Sequence, residues 1–245
     1  MPARLLLIED DASIARFVEL ALEELPGHDP AAPAVELSVV RRLADARDAL
    51  AGGGWQLVVS DLMLPDGSAE TLLAEGLAQA AGAPPWVIFS AGVHPDHHAA
   101  LAARGVVRTL RKPVPLIELL DTFSELLRGR ALARVPIAAL TTGVDPVLQH
   151  FGGDRALYES FRTGCLDRFA DDLAQGNAAV ASGDAPALRR VAHGLKAVLE
   201  LLGHTDLAAQ ARALEMAAAD WTPGRPLPEG WLSLSRALAE LRRRG

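Results

Sequence analysis

Short apolar runs and amphipathic segments alternate along the first 128 residues of the chain. A β-branched run bounded by turn residues, such as 57–59, is typical of a buried parallel strand, whereas apolar positions three and four residues apart indicate a helix. The predicted strands are 4–8, 35–40, 57–61, 86–90 and 106–111. A first helix is predicted to begin near residue 12 and to be followed by a loop at 26–33. The other predicted helices are 42–50, 68–80, 94–104 and 116–127. Five strand–helix repeats predict a doubly wound α/β fold, in which helices cover both faces of a five-stranded parallel sheet.

The pattern changes near residue 145, where strand patterns disappear and long segments rich in Ala, Leu and Arg begin. The helices predicted there are 155–181, 185–203, 206–219 and 231–243, with a short lead-in at 145–150. Helices joined by short breaks form antiparallel bundles. We therefore predict an α/β domain over 1–128, a linker over 129–145 and an all-α antiparallel helical bundle over 146–245.

The composition is that of a folded, water-soluble chain. Half of the 245 residues are hydrophobic and the mean hydropathy is +0.17. We see no apolar run near the roughly 18–20 residues that cross a bilayer, and the N-terminus turns acidic too early for a signal peptide, so we expect a cytoplasmic protein without a membrane partner. A single cysteine, Cys165, excludes an internal disulfide framework and a multi-cysteine metal site.

The net charge of −7 is unevenly distributed. Residues 1–145 contain 12 Lys and Arg against 19 Asp and Glu, whereas residues 146–245 contain 12 of each. Neither part is basic, which argues against nucleic acid as a partner.

Five polar residues fall where predicted strands end: Glu9, Asp10, Asp61, Ser90 and Lys112. Strand ends converge at one edge of a parallel sheet, so we expect these side chains to meet. Three carboxylates in one pocket call for a cation, and oxygen ligands with room for water suit Mg²⁺. Ser90 and Lys112 would then stabilise a phosphoryl group on Asp61, whose carboxylate would act as the nucleophile.

Four segments carry a family resemblance: LLLIEDD at 5–11, DLMLPDG at 61–67, FSA at 89–91 and KP at 112–113. In this order they resemble the receiver domain of two-component response regulators, over about residues 3–128. The resemblance implies a flavodoxin-like receiver in which Asp61 is the phospho-acceptor. It also implies that Ser90 and Lys112 bind the phosphoryl oxygens and that the bond before Pro113 is cis.

The same resemblance implies a magnesium site. Its ligands would be the carboxylates of Glu9, Asp10 and Asp61 and the backbone carbonyl of Met63. A competing hypothesis is a phosphatase of the haloacid dehalogenase-like family, which also uses an aspartyl nucleophile. Such enzymes require a second Asp two positions after the first, where this chain has Met63.

One histidine stands out in the helical part. The apolar positions of the predicted helix 185–203 form one stripe around Leu188, and His193 lies about 140° from Leu188, away from that stripe. Lys196 follows on adjoining surface, one turn later. The sequence therefore predicts an exposed histidine beside a lysine that could steady a phosphoryl group, although a lone surface histidine is more often idle.

A second resemblance covers about residues 146–243. It is carried by FGGD at 151–154, Leu157, GD at 183–184, AHGLK at 192–196, Gly203 and LE at 214–215. These residues resemble the histidine phosphotransfer (HPt) domain. The resemblance implies that His193 carries a phosphoryl group, assisted by Lys196.

The two resemblances together predict a phosphorelay protein rather than an enzyme with its own kinase domain. Its partners would be a histidine kinase, other receiver domains or both, and the oligomeric state is left open, a homodimer included. The alternative is a phosphorylation-switched binding module, in which the helical bundle only docks or dimerises and His193 is idle.

Overall fold

A computed structural model of the protein describes residues 2–90, 95–129, 145–221 and 230–244, except the side chains of residues 90, 95 and 96. The chain divides into two compact units, Met1–Gly143 and Val144–Gly245. Residues 130–144, which make up most of the predicted linker, lie outside the described residues. Within the described ranges, none of the helices is both long and apolar enough to cross a lipid bilayer.

The first unit is built on a parallel sheet. Its strands are β1 Ala3–Ile8, β2 Val35–Val40, β3 Leu57–Asp61, β4 Met63–Leu64, β5 Gly67–Ser68, β6 Trp86–Ser90 and β7 Val106–Arg111; its helices are α1 Ala12–His28, α2 Leu43–Ala51, α3 Glu70–Ala74, α4 Pro95–Ala103 and α5 Leu116–Leu127. The order in the five-stranded sheet is β2-β1-β3-β6-β7, and each neighbouring pair is parallel. This is the flavodoxin-like strand order, so the predicted fold class is confirmed.

Both faces of the sheet are covered. Leu6 and Ile8 of β1 and Val58 of β3 belong to a buried cluster that includes Leu43 of α2 and Leu72 of α3. Because side chains alternate along a strand, the residues between them point to the opposite face. The helices α1 and α5, which contact each other, provide buried apolar side chains for that second layer. Among the described residues, the strand ends are therefore where a ligand can approach the sheet.

Two helices differ from the prediction by more than two residues at one end. The helix predicted at 68–80 is only Glu70–Ala74, because Gly76 adopts a left-handed φ of 79° that ends it. Helix α1 continues to His28 although a loop was predicted from Pro26 onward. The proline lies in the last turns, where its missing N–H removes one intrahelical hydrogen bond, and the buried Leu25 side chain holds that turn on the core.

A small hairpin after Asp61, formed by β4 and β5, was not predicted. Its turn residue Asp66 accepts hydrogen bonds from the backbone N–H groups of Leu43 at 2.8 Å and Ala44 at 3.2 Å. Partial burial of this carboxylate would raise its pKa, but the two backbone hydrogen bonds outweigh burial and lower the pKa of Asp66. Asp66 thereby caps α2 and fixes the loop that follows Asp61.

The second unit consists of α6 Pro146–Phe151, α7 Arg155–Ser182, α8 Ala185–Leu201, α9 Thr205–Ala219 and α10 Gly230–Arg244. Aspartates at positions 145, 154 and 184 cap the first three of these helices through their carboxylates. Helix α7 packs on α8, α8 on α9, α9 on α10 and α10 on α7, which closes a four-helix arrangement. The predicted all-α bundle is confirmed, and Cys165 lies in its core.

The contact between α7 and α10 depends on one glycine. A Cβ atom on Gly176 would lie 2.1 Å from two ring carbons of Trp231, whose Nε1 donates to Asn177 Oδ1 at 2.9 Å. Any side chain at position 176 would therefore displace the tryptophan ring.

We predict that Gly176→Ala destabilises the second unit by about 1–3 kcal/mol through overpacking. Gly164→Ala in the same helix is the matched control, because no atom lies within 4 Å of its added Cβ. That control should gain about 0.5–1 kcal/mol from the removal of glycine from a helix interior. Urea unfolding of the full chain measures both, and equal effects of the two substitutions would contradict this account of the helix contact.

Candidate functional site

Three carboxylates meet at the carboxyl edge of the sheet, as the sequence predicts. Ligand oxygens of Glu9, Asp10 and Asp61 all lie within 4.8 Å of one another. The parallel register places Ile8 beside Ser60, so β1 and β3 end at the same level. Glu9 and Asp61 are buried, at 1% and 2% exposure, and Asp10 is partly buried.

Lys112 joins this cluster from the end of β7. Its Nζ donates to Glu9 Oε2 at 2.7 Å and to Asp61 Oδ2 at 2.8 Å. Since β6 lies between β3 and β7 in the sheet, the long lysine side chain spans one strand end to reach Asp61. The ammonium group is buried with its two partners, so this is a desolvated ion pair of the kind that removal of one partner disrupts strongly.

The cluster has an excess of negative charge. Burial, opposed by Lys112 and reinforced by Asp61, raises the pKa of Glu9. Burial and the charge of Asp61 also raise the pKa of Asp10. Burial by itself would lower the pKa of Lys112, but the attraction of Asp61 and Glu9 outweighs it and raises that pKa. One lysine thus balances only part of the charge of three carboxylates.

The acid next to this cluster and the remaining predicted site residues occupy different positions. Asp11 caps α1 through the N–H groups of the first turn and is not in the cluster. The N–H of Met63 donates to Asp61 Oδ1 at 3.3 Å, which places the backbone of β4 beside the carboxylate. Ser90 ends β6, but its side chain lies outside the described residues. The peptide bond between Lys112 and Pro113 is cis.

A second polar group lies between α8 and α9. His193 Nδ1 is 2.6 Å from Glu215 Oε1, and Lys196 Nζ donates to Glu215 Oε2 at 2.6 Å. One carboxylate of α9 therefore holds two side chains of α8, which are one helical turn apart.

Glu215 is ionised at neutral pH. Partial burial would raise the pKa of Glu215, but the hydrogen bonds from His193 and Lys196 outweigh burial and lower it to about 2. An ionised carboxylate only accepts hydrogen bonds, so Nδ1 of His193 must carry a proton. In the neutral ring the lone pair is then on Nε2, which becomes the nucleophilic nitrogen.

Two expectations about this helix were wrong in degree. The side chain of His193 is only 20% exposed, because α9 and Glu215 cover one side of the ring. Lys196 was placed on adjoining surface, yet its side chain is 9% exposed and is paired with Glu215. A helical wheel describes one helix only, and a neighbouring helix decides how much of the polar face remains open.

No role of Glu215 was predicted from the sequence. The residue belongs to the LE pair of the HPt resemblance, but the 22 positions between it and His193 cross a turn and two helix segments. The signal available in the sequence was therefore the family resemblance alone, since no periodicity links positions on two helices.

Comparison with known families supports the family predicted for the second unit. Residues 160–244 match the family described as the Hpt domain. The match runs from within α7 to the end of α10 and includes both His193 and Glu215. The predicted histidine phosphotransfer domain is therefore confirmed for this part of the chain.

Two curated relatives share sequence with nearly the whole chain. Both are the sensory/regulatory protein RpfC, from strains ATCC 33913 and 8004 of Xanthomonas campestris pv. campestris. Each is 29% identical over 229 residues, which cover 88% of this chain. The chain spans only 30% of the length of these relatives.

Solved structures similar to this chain include receiver domains. The Francisella response regulator 1452 receiver domain is 22% identical and has a TM-score of 0.44, with 52% of this chain and 98% of that chain covered. The non-phosphorylated HemR receiver domain from Leptospira biflexa is also 22% identical, has a TM-score of 0.42, and is matched over 54% of this chain and 98% of its own. The strand order and register described above define the flavodoxin-like fold of the first unit.

We predict that the contribution of Glu215 to stability is lost in acid. Its pKa is about 2 in the folded state and 4.5 ordinarily, so ionisation stabilises the folded state above pH 4.5 and ceases to do so as the pH falls towards 2. Glu215→Gln should cost about 1–2 kcal/mol at pH 7, after allowance for partial exposure, and almost nothing near pH 2.

Urea unfolding at several pH values measures this difference in the free energy of unfolding. The transition to follow is that of the second unit, which Gly176→Ala identifies because it shifts that transition. Glu200→Gln is the control, because its carboxylate lies 3.9 Å from the exposed Arg212 and makes a weaker ion pair. A gap between wild type and Glu215→Gln that stays constant down to pH 2 would show that the carboxylate charge is unimportant.

Proposed function

We propose that this chain is a phosphorelay protein of two-component signalling, in which Asp61 accepts a phosphoryl group and His193 carries one. The observation that carries the proposal is the pairing of His193 with the ionised Glu215 inside residues that match the Hpt domain. The receiver-type unit of the same chain supports it, because a buried aspartate–lysine pair lies at the ligand-binding edge of its sheet.

Phosphorylation of Asp61 is a nucleophilic displacement at phosphorus. A carboxylate oxygen of Asp61 forms a bond to phosphorus as the bond between phosphorus and the donor's leaving group breaks, which produces an acyl phosphate. Charge spreads over the phosphoryl oxygens during the transfer. Lys112 already contacts Asp61 Oδ2 and is the cation available to these oxygens, and we assign Ser90, at the end of the adjacent strand, as a hydrogen-bond donor to them.

The donor set fits a magnesium ion. Glu9, Asp10 and Asp61 offer hard oxygen ligands within 4.8 Å of one another, and one lysine leaves about two negative charges uncompensated when all three are ionised. We assign these carboxylates and the backbone carbonyl of Met63 as the ligands. When bound, Mg²⁺ would neutralise charge on the phosphoryl oxygens.

His193 would exchange the phosphoryl group with an aspartate of a receiver domain. Its Nε2 lone pair forms the bond to phosphorus while the acyl phosphate bond breaks and the aspartate carboxylate leaves. Glu215 keeps the proton on Nδ1 and shares the positive charge that the ring acquires. We infer that the partners are a histidine kinase, separate receiver domains or both. We also infer that the chain passes phosphoryl groups between proteins and does not take them from a nucleotide.

We predict that the protein labels itself at Asp61 when incubated with Mg²⁺ and labelled acetyl phosphate. Attack by Asp61 releases acetate, and the acyl phosphate formed should be lost in alkali. Asp61→Ala should abolish the alkali-labile label, whereas His193→Ala should keep it.

An acid-labile label that needs both Asp61 and His193 would show that the phosphoryl group passes from one to the other. Absence of any label on Asp61 would overturn the receiver function and favour the alternative of a docking module.

We also predict that Asp10→Asn weakens Mg²⁺ binding about tenfold or more, because it removes one charged oxygen ligand from the cluster. Asp11→Asn is the matched control: its carboxylate caps α1 instead, and asparagine caps helices equally well. Isothermal titration of each full-length variant with Mg²⁺ measures both, and an equal loss in the two variants would contradict the assigned ligand set.

A further inference from the structure

A phosphoryl group on His193 would add negative charge beside Glu215, a carboxylate that is already paired with Lys196. Lys196 forms an ion pair with Glu215, so the charges of these two side chains cancel. A phosphoryl group adds about −1.5 to −2 charge at neutral pH. The ionised Glu215 lies 2.6 Å from the same ring and would repel it. A further cation beside Nε2 would therefore stabilise that group.

Arg189 is placed to provide that cation. It precedes His193 by one helical turn on α8, a spacing at which side chains are neighbours. At 100° per residue, Arg189 and Lys196 lie about 40° and 60° to the same side of His193. Arg189 and Lys196 thus flank the histidine from the two ends of one stripe.

The guanidinium of Arg189 has hydrogen-bonding capacity to spare. Its Nε is buried without a hydrogen-bond partner, and in the described parts of the chain we find no ion pair that involves this residue. The side chain is half-buried, so its position is restricted before any ligand arrives. A planar group with five N–H donors matches phosphoryl oxygens better than an ammonium group does.

Arg190 has the same charge but a different position. It lies about 60° to the other side of His193 and is exposed. Any general attraction between a basic helix and an anion would involve both arginines alike, so this neighbour separates a specific contact from an overall charge effect.

We propose that Arg189 binds the phosphoryl group on His193, while Lys196 serves to hold Glu215 in place. The proposal rests on the proposed function of His193. It identifies Arg189, outside the predicted site, as the residue that stabilises the transferred group.

The test uses phosphoramidate, a small phosphoryl donor that reacts with histidine directly. The protein is the full chain with Asp61→Ala, in which residue 61 cannot be phosphorylated. The Nε2 lone pair forms a bond to phosphorus, the bond between phosphorus and the donor nitrogen breaks, and neutral ammonia leaves. The acid-labile phosphohistidine is followed over time by ³¹P NMR, both during formation and after removal of the donor.

We expect Arg189→Gln to slow phosphorylation of His193 about tenfold and to shorten the lifetime of phosphohistidine, whereas Arg190→Gln changes either by less than about twofold. Circular dichroism checks that both variants are folded. Arg189→Lys keeps the aliphatic part and the charge of the side chain but loses the forked donors of the guanidinium. Phosphorylation of His193 should be about threefold slower in this variant. This variant tests the proposal if Arg189→Gln disturbs the helix.

Equal behaviour of the Arg189 and Arg190 variants would overturn the assignment of Arg189 and leave the function of His193 standing. Failure of the Asp61→Ala protein itself to form phosphohistidine would overturn the proposed function of His193, and this inference with it.

Discussion

The crowding of like charges at one edge of the parallel sheet is the constraint around which the first unit is built. Three carboxylates are brought together because β1 and β3 run parallel in register and end at the same level. Burial makes their mutual repulsion costly, since charges in a low-dielectric interior are poorly screened. Lys112 relieves part of that repulsion, and the remaining negative charge suits the site to a dication.

In the first unit one lysine contacts two carboxylates, whereas in the second unit one carboxylate contacts a histidine and a lysine. Glu215 brings negative charge to a histidine and a lysine, and in doing so it fixes the proton on Nδ1 of His193. The same pairing removes Lys196 as a free cation. If His193 carries a phosphoryl group, as we propose, a cation other than Lys196 has to stabilise it, and Arg189 has an unpaired buried Nε one helical turn away. In both units a carboxylate is paired with a lysine of opposite charge, Asp61 with Lys112 and Glu215 with Lys196.

Much of the fold and of the candidate site could be predicted from local patterns. The parallel sheet follows from five strand–helix repeats, and the meeting of Glu9, Asp10, Asp61 and Lys112 follows from their places at strand ends. The short α3 and the hairpin after Asp61 were missed, because a left-handed Gly76 and a cap supplied by Asp66 to a distant helix leave no periodic signal. Likewise, the wheel of α8 located His193 off the apolar stripe but could not foresee what α9 places beside it.

The sequence by itself determined the succession of elements, the character of each helix face and the positions at which acids, lysine and histidine occur, because these depend on neighbours within a few residues. The tertiary structure alone decided which charges are paired. Lys112 reaches across a strand to Asp61, and Glu215 joins His193 and Lys196 from another helix. Pairing depends on distances between elements far apart in the chain, and burial then sets how strongly each pair shifts a proton.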